Sequence, residues 1–331
     1  IKDLGWNIMN NIELQIGGII IDRQYSIWLH LWNELFENIL KKSDYDYFFC
    51  KNSNGYTFDN TEKDSMYLYL PLKFFFNRHI GLSLPLISIR NQEILFKVKL
   101  ESLNNLIYTD YDGSDINDLI KINDIKILTN FIYLDQDERS KFAQASHEYL
   151  IEQVNKTSYN RLKSDEINLE LNLNHPTKYY ILTLQNKSDI DSYKFYNDYT
   201  GNFTYTVTNN FPNIDTNKNN TVNNAQLELN GVDRTSNYDG SYYNYVTSYE
   251  TNINTPADGI NFYSFALNPN DIQPSGTCNF SRLNRKTIKL SLTDEFLTRI
   301  SSSDYILINF LSVNYNILKF NKGLCNLVFA Y

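Results

Sequence analysis

Only three cysteines occur in the 331 residues, Cys50, Cys278 and Cys325, and no two of them form a CxxC pair. That odd, scattered count argues against a disulfide framework and against a zinc site built on paired thiolates, and it fits a reducing compartment. Histidine is equally sparse, at His30, His79, His147 and His175. No apolar run approaches the roughly 18 residues that suggest a membrane-spanning helix. Basic residues are outnumbered, with Lys+Arg 30 against Asp+Glu 38 and a net charge of -8. No basic stripe is interleaved with aromatics to follow a phosphate backbone, so direct nucleic-acid binding is not expected. The chain opens at Ile1 without a charged-then-apolar leader, and this start reads as a truncation rather than a signal peptide.

What the chain does have is aromatic and β-branched side chains. Tyr 26 and Phe 20 stand against Met 2, and Ile, Val and Thr recur throughout. These residues favour pleated, half-buried surfaces. A hydrophobic fraction of 42% with 21% charged residues is that of a globular protein long enough for two domains.

Along the chain, Ile12, Leu14 and Ile16 alternate before Gly17-Gly18, which predicts a strand, a tight turn and a second strand. From Gln24 to about Lys41 the period changes: Ile27, Trp28, Leu31, Leu35 and Ile39 share one helical face. Residues 43–64 read as a polar loop, and MYLYLPLKFFFNR reads as a strand before Gly81. EILFKVKL alternates from Ile94, residues 101–124 form a second polar loop, and ILTNFIYL reads as a further strand. Asp135 and Asp137 are placed to cap a short helix through Glu138, Arg139, Phe142 and Ala145. EYLIEQV is ambiguous between helix and strand, and the polar stretch from Asn155 to Glu166 marks a domain boundary.

The second half repeats the plan with YYILTL, FTYTVT, AQLELNG, FYSFAL, TIKLSL and YILINFLSVNYNIL as short strands. Residues 209–224 are close to low complexity and read as loop. Many short strands, polar loops and no βαβ alternation predict an all-β chain of two consecutive antiparallel β-sandwiches, with jelly rolls the natural candidate. The domains are expected at 1–154 and 155–331.

Chemistry is poorly supported. His147-Glu148 opens an HExxH zinc motif, but the fifth position is Ile151. Local hydrogen bonding explains the pair better. Asp135, Asp137 and Glu138 could hold a cation or act as acid and base; helix capping and pairing with Arg139 is the simpler reading. Ser275, Thr277 and Cys278 invite a nucleophile, yet no His or Asp is near in sequence, and Pro274 with Gly276 suits a tight turn. Nucleotide-loop and GxSxG hydrolase signatures are absent from the sequence.

Seven stretches together resemble the major capsid protein of the nucleocytoplasmic large DNA viruses, the double jelly-roll capsid family. They are IELQIGGIIIDRQYSIWLHLWNEL (Ile12 to Leu35), LPLKFFFNRHIGLSLPLISI (Leu70 to Ile89), YLDQDERSKFAQASHEYLIEQV (Tyr133 to Val154), NHPTK (Asn174 to Lys178), LELNGVDR (Leu227 to Arg234), YSFALNPNDIQPSGTCNFSRLN (Tyr263 to Asn284) and VNYNILKFNKGL (Val313 to Leu324). Within the first three, the motif residues are Gly17, Gly18, Asp22, Trp28, Trp32, Pro85, Asp135, Asp137, Glu138, Arg139, His147 and Glu148. In the later stretches they are His175, Pro176, Asn230, Gly231, Asp233, Arg234, Pro274, Ser275, Gly276, Asn279 and Arg282. All are structural by this resemblance; it implies no catalytic residue, metal or cofactor.

The resemblance implies an eight-stranded jelly roll in each half and a structural, non-enzymatic role. Three copies would form a pseudo-hexameric capsomer that tiles an icosahedral virion shell, assembled in the host cytoplasm. Its partners would be copies of itself, minor capsid or penton proteins and, indirectly, an underlying membrane. The family carries an arm and further strands before the segment matching Leu4 to Ile16, so a longer gene product is expected. Arg90-Asn91-Gln92 departs from the family's strand pattern. Polar loops at 43–64, 101–124 and 185–224 are the expected contact elements. The competing readings are a carbohydrate-binding or hydrolytic β-sandwich, with exposed Tyr242, Tyr243 and Tyr245 stacking on sugars, and a double jelly-roll assembly scaffold.

Overall fold

The computed structural model describes residues 4–38, 67–106, 122–193, 199, 204–208, 211–215 and 220–329. Strands dominate. In chain order they are β1 (Met9–Ile16), β2 (Ile19–Tyr25), β3 (Ile94–Leu100), β4 (His147–Leu162), β5 (Glu166–Glu170), β6 (Pro176–Asn186), β7 (Thr204–Thr208) and β8 (Phe211–Asp215). They continue with β9 (Val222–Leu229), β10 (Val232–Asp233), β11 (Tyr238–Asp239), β12 (Ile260–Ser264), β13 (Cys278–Asn279), β14 (Lys286–Leu292), β15 (Tyr305–Asn321) and β16 (Leu324–Leu327). Three helices matter below: α1 (Ser26–Phe36), α2 (Phe75–Arg78) and α3 (Gln136–Gln144).

The strands form three layers. A three-stranded sheet runs β2-β1-β3, and a second sheet runs β10-β9-β14-β5 with β11 on β9. Between them lies a six-stranded sheet built on the 17-residue β15, which pairs antiparallel with β6 on one side and β4 on the other. Strand alternation sends successive β6 residues to opposite faces. Tyr179 and Ile181 enter one core, together with Trp28, Leu31 and Leu35 of α1. Tyr180, Leu182 and Leu184 enter the other, with Leu169, Leu227 and Ile288. β15 does the same, Phe310 joining the second core and Leu311 and Val313 the first. The near-continuous apolar run YYILTL is therefore a strand buried on both faces.

The β1–β2 hairpin forms as its alternation and glycine pair predict, with Gly17 and Gly18 at φ 58° and 82°. Helix α1 ends at Phe36; Ile39 and the loop at 43–64 lie outside the described residues.

Four expected segments differ. MYLYLPLKFFFNR is not a strand: residues 67–74 have no regular structure and Phe75–Arg78 is a helical turn. Its rings pack among themselves and on Phe96 instead of into a ladder. ILTNFIYL forms no strand either, because no described strand pairs with it. The polar stretch after Asn155 is not a linker up to Leu162 but the second half of β4. Its polar side chains bond across the ladder, Asn155 to Asn314 at 3.0 Å and Ser158 to Asn309 at 2.8 Å, so polarity there serves pairing. Within 185–224, residues 187–193 are helical and β7 pairs with β8.

Candidate functional site

Besides the first hydrophobic core, a buried polar cluster between β2, α2, β4, β6 and β15 joins the two halves. Glu152 on β4 is its centre. One carboxylate oxygen meets the Arg78 guanidinium, and the other accepts from Lys178 Nζ at 2.6 Å. Lys178 is fully buried, donates also to the Asp271 carbonyl at 2.7 Å, and lies 5.6 Å from the Tyr315 ring centroid. Burial pulls the Lys178 ammonium below its ordinary pKa, opposed by the neighbouring Glu152 carboxylate. Desolvation likewise raises the Tyr179 phenol well above its ordinary value.

Beside this triad, Asp22 Oδ1 on β2 accepts from the Val154 amide at 2.9 Å. Complete burial pushes its carboxyl pKa up to about 7; the Val154 and Arg23 amides and the Gln24 side chain pull it back, and Glu152 adds repulsion. Gln153 donates to the Ile21 carbonyl and accepts from Asn316 Nδ2 at 2.9 Å. Apart from the local bonds of Asp22 to Arg23 and Gln24, these contacts span residues distant in sequence. The cluster fastens the first sheet to the middle sheet. Of these residues only Asp22 was legible as a motif position; Arg78, Glu152 and Lys178 were missed, although a lysine opening the apolar run Tyr179–Leu184 is a signal for a buried charge.

The remaining motif residues are placed singly. Trp28 stacks on Tyr179 with centroids 6.5 Å apart, and Trp32 lies under Lys73 Nζ at 3.9 Å. Pro85 is buried ahead of a single 3-10 turn, its carbonyl accepting from Ser88. Asp135 caps α3 by accepting from the Glu138 amide at 2.8 Å. Asp137, Glu138 and Arg139 are exposed, and among the described residues the expected ion pair to Arg139 does not form. His147 bonds the Phe142 carbonyl at 3.2 Å, while Glu148 pairs with Lys319 across the ladder at 2.7 Å.

In the second half, His175 is buried and Pro176 begins β6. Burial lowers the His175 pKa. Asn230 and Gly231, both at positive φ, turn β9 into β10, and Asn230 Oδ1 accepts from the Asn284 and Arg285 amides. Asp233 closes β10, and the Arg234 amide returns to the Leu227 carbonyl at 2.7 Å. Ser275 Oγ accepts from the Asn268 amide in the turn that Pro274 and Gly276 share before β13. Asn279 caps the 3-10 turn that ends in Arg282. Arg90-Asn91-Gln92 is held by the β15–β16 turn, through Asn91 N to the Gly323 carbonyl and Cys325 N to Gln92 Oε1.

No reactive constellation assembles from these parts. Burial raises the Cys278 thiol pKa, the wrong direction for a nucleophile. Among the described residues no three His, Cys, Asp or Glu side chains come together to hold a metal ion. The tyrosines expected to be an exposed cluster divide. Tyr243 is buried, its hydroxyl bonded to the Ala225 carbonyl at 2.9 Å and shared with Thr235; Tyr242 packs face to face on Tyr238 at 4.2 Å; Tyr245 bonds Asp258.

Comparison with known proteins agrees with an architecture built to hold shape. Residues 138–326 match the family described as large eukaryotic DNA virus major capsid protein, and residues 1–135 match the major capsid protein N-terminus family. The major capsid protein of Paramecium bursaria Chlorella virus 1 is 30% identical, over 98% of this chain and 79% of that protein. That of Pyramimonas orientalis virus is 30% identical over 99% and 78%. The solved PBCV-1 virus capsid superposes with a TM-score of 0.75 at 28% identity, covering 100% of this chain and 85% of that one. The Faustovirus major capsid protein shares the fold alone, with a TM-score of 0.73 at 13% identity over 97% and 73%. The layered sheets are thus those of a double jelly roll, and the chain belongs to the large eukaryotic DNA virus major capsid protein family.

Proposed function

We propose that this protein is a shell tile: three copies form a pseudo-hexameric capsomer, and capsomers cover an icosahedral virion. The observation that carries the reading is the doubly buried middle sheet, locked to the first sheet through the bonds of Val154 to Asp22 and of Gln153 to the Ile21 carbonyl beside the Glu152 ion cluster. A protomer welded in this way is a rigid body, and a rigid body lets one interface be repeated under closed symmetry. The two functional halves are 1–154 and 155–331. β4 crosses that point, and its side chains pass there from the first core, at Ile151 and Val154, towards the second, at Tyr159.

The tile has no enzymatic role in this reading. Its partners are its own copies, minor capsid or penton proteins and, indirectly, a membrane beneath the shell; nucleic acid is not contacted. Assembly takes place in the host cytoplasm. Native mass spectrometry of the purified protein, with negative-stain imaging, tests this. Trimers with a hexagonal outline are expected, and a monodisperse monomer would refute the reading.

A further inference from the structure

The second half carries a group of aromatic and polar side chains whose polar ends find no partner within the chain. Its floor is Tyr263 on β12. Only 9% of that residue is exposed, yet its hydroxyl makes no hydrogen bond among the described residues, and the hydroxyl is the end that still meets solvent. Burial raises the Tyr263 pKa first of all; beyond that, Arg234 pulls it down while Cys278, Tyr238 and Glu250 push it up, so these four groups surround the phenol.

The wall is a stacked pair, Tyr238 on β11 against Tyr242, with ring centroids 4.2 Å apart. Tyr243 joins the pair to the floor, 5.3 Å from Tyr242 and 6.3 Å from Tyr263. Tyr238 is 39% exposed and has Tyr242 as its one ring partner among the described residues, which leaves its other face open. At the rim, Arg234 and Glu250 are both exposed, and neither makes an ion pair or a side-chain hydrogen bond among the described residues. Tyr242, Tyr243, Tyr263 and Cys278 all pack on the second core, so the group is seated on the fold and not on a loose loop.

This chemistry narrows what can bind. An open phenol ring offers an apolar face, and each phenol hydroxyl can donate and accept. A guanidinium donates as a planar fork and a carboxylate accepts at two oxygens, a pair suited to adjacent hydroxyl groups. One cation and one anion balance each other, which favours a neutral ligand. A molecule with an apolar face and a rim of hydroxyls satisfies all of these. We infer that Arg234, Tyr238, Tyr242, Glu250 and Tyr263 form a binding site for a neutral sugar, its C–H face on Tyr238 and its hydroxyls on Arg234, Glu250 and the Tyr263 hydroxyl. Of the three tyrosines expected from the sequence to meet sugars, Tyr242 alone takes part directly. The site adds a glycan contact to the shell tile and does not depend on the trimer.

Saturation-transfer NMR on the full chain tests this, with methyl β-D-glucoside, methyl β-D-galactoside and methyl α-D-mannoside as neutral probes and sialic acid as an anionic one. At least one neutral glycoside should bind, and Tyr238→Ala should weaken it about tenfold by removing the platform. Tyr263→Phe deletes one hydroxyl from a ring that stays buried, and should weaken binding about fivefold. Tyr249→Ala alters a ring that is 84% exposed on the same helical stretch but outside the group, and should bind as the wild type does. Unchanged unfolding midpoints show that the variants fold, and Tyr263→Phe, which keeps the packed ring, carries the test by itself if Tyr238→Ala does not.

Absence of binding by every neutral glycoside, or tighter binding of sialic acid, would overturn the site. Equal binding by the wild type, Tyr238→Ala and Tyr263→Phe would overturn it as well. Loss of oligomer in those two variants, with no glycoside bound by the wild type, would make the surface a contact between copies instead.

Discussion

The ammonium of Lys178, on β6, lies 2.6 Å from the carboxylate of Glu152, on β4, both strands of the middle sheet. Arg78 reaches the same carboxylate from the other side. Two cations therefore share one anion, away from water. Replacing Glu152 by Gln would leave both unpaired, and a broken buried pair costs about 3–5 kcal/mol. The E152Q variant should show a correspondingly lower midpoint in urea unfolding. A change of a few tenths of a kcal/mol would mean that water reaches the cluster.

Asp22 should make stability depend on pH in an unusual direction for a carboxylate. Its folded pKa is raised to about 7 from an ordinary 3.8, so folding favours the protonated form. The stabilisation is fully present below the unfolded value and is lost as pH rises through the folded one. Between pH 5 and 8 the wild type should therefore lose about 3 kcal/mol that Asp22→Asn does not lose. Urea midpoints for both proteins at the two pH values check this, since the other titrating groups are common to both. Parallel pH profiles would sink the assignment.

Neighbours on β6 point into different cores, so both should matter. Ile181→Ala empties the first core and Leu182→Ala the second, and each should cost about 2–5 kcal/mol. On a strand buried on one face, one of any two successive residues would be nearly silent. Thermal unfolding of the two single variants distinguishes the cases.

Gly259 admits no side chain. Its φ is +85°, and a methyl group added there would stand 1.7 Å from the Tyr199 carbonyl oxygen. Gly259→Ala should destabilise the protein by about 3 kcal/mol, combining left-handed strain with a backbone clash. Circular dichroism melting provides the measurement.

Local chemistry made much of this protein legible in its sequence. Gly17-Gly18 and Asn230-Gly231 specify hairpins because positive φ is cheap there, and Asp135 specifies a helix start because its side chain reaches a free amide. The period change after Gln24 placed α1, since a helix shows its buried face at a spacing that a strand does not. Residues 127–134 and 155–162 went the other way. The first have strand composition and no ladder, and the second have linker composition and sit in β4. A ladder requires a partner, and partners are distant in sequence.

The same limit hid the Glu152 cluster. Arg78, Glu152 and Lys178 carry ordinary charges in the chain and become buried partners only when α2, β4 and β6 meet. The sequence by itself determined an all-β chain of capsid-family character, because alternation, turns and the long collinear resemblance are properties of residue order. Tertiary structure alone decided that one sheet serves two cores and which charges lose their water. Those are properties of what packs against what.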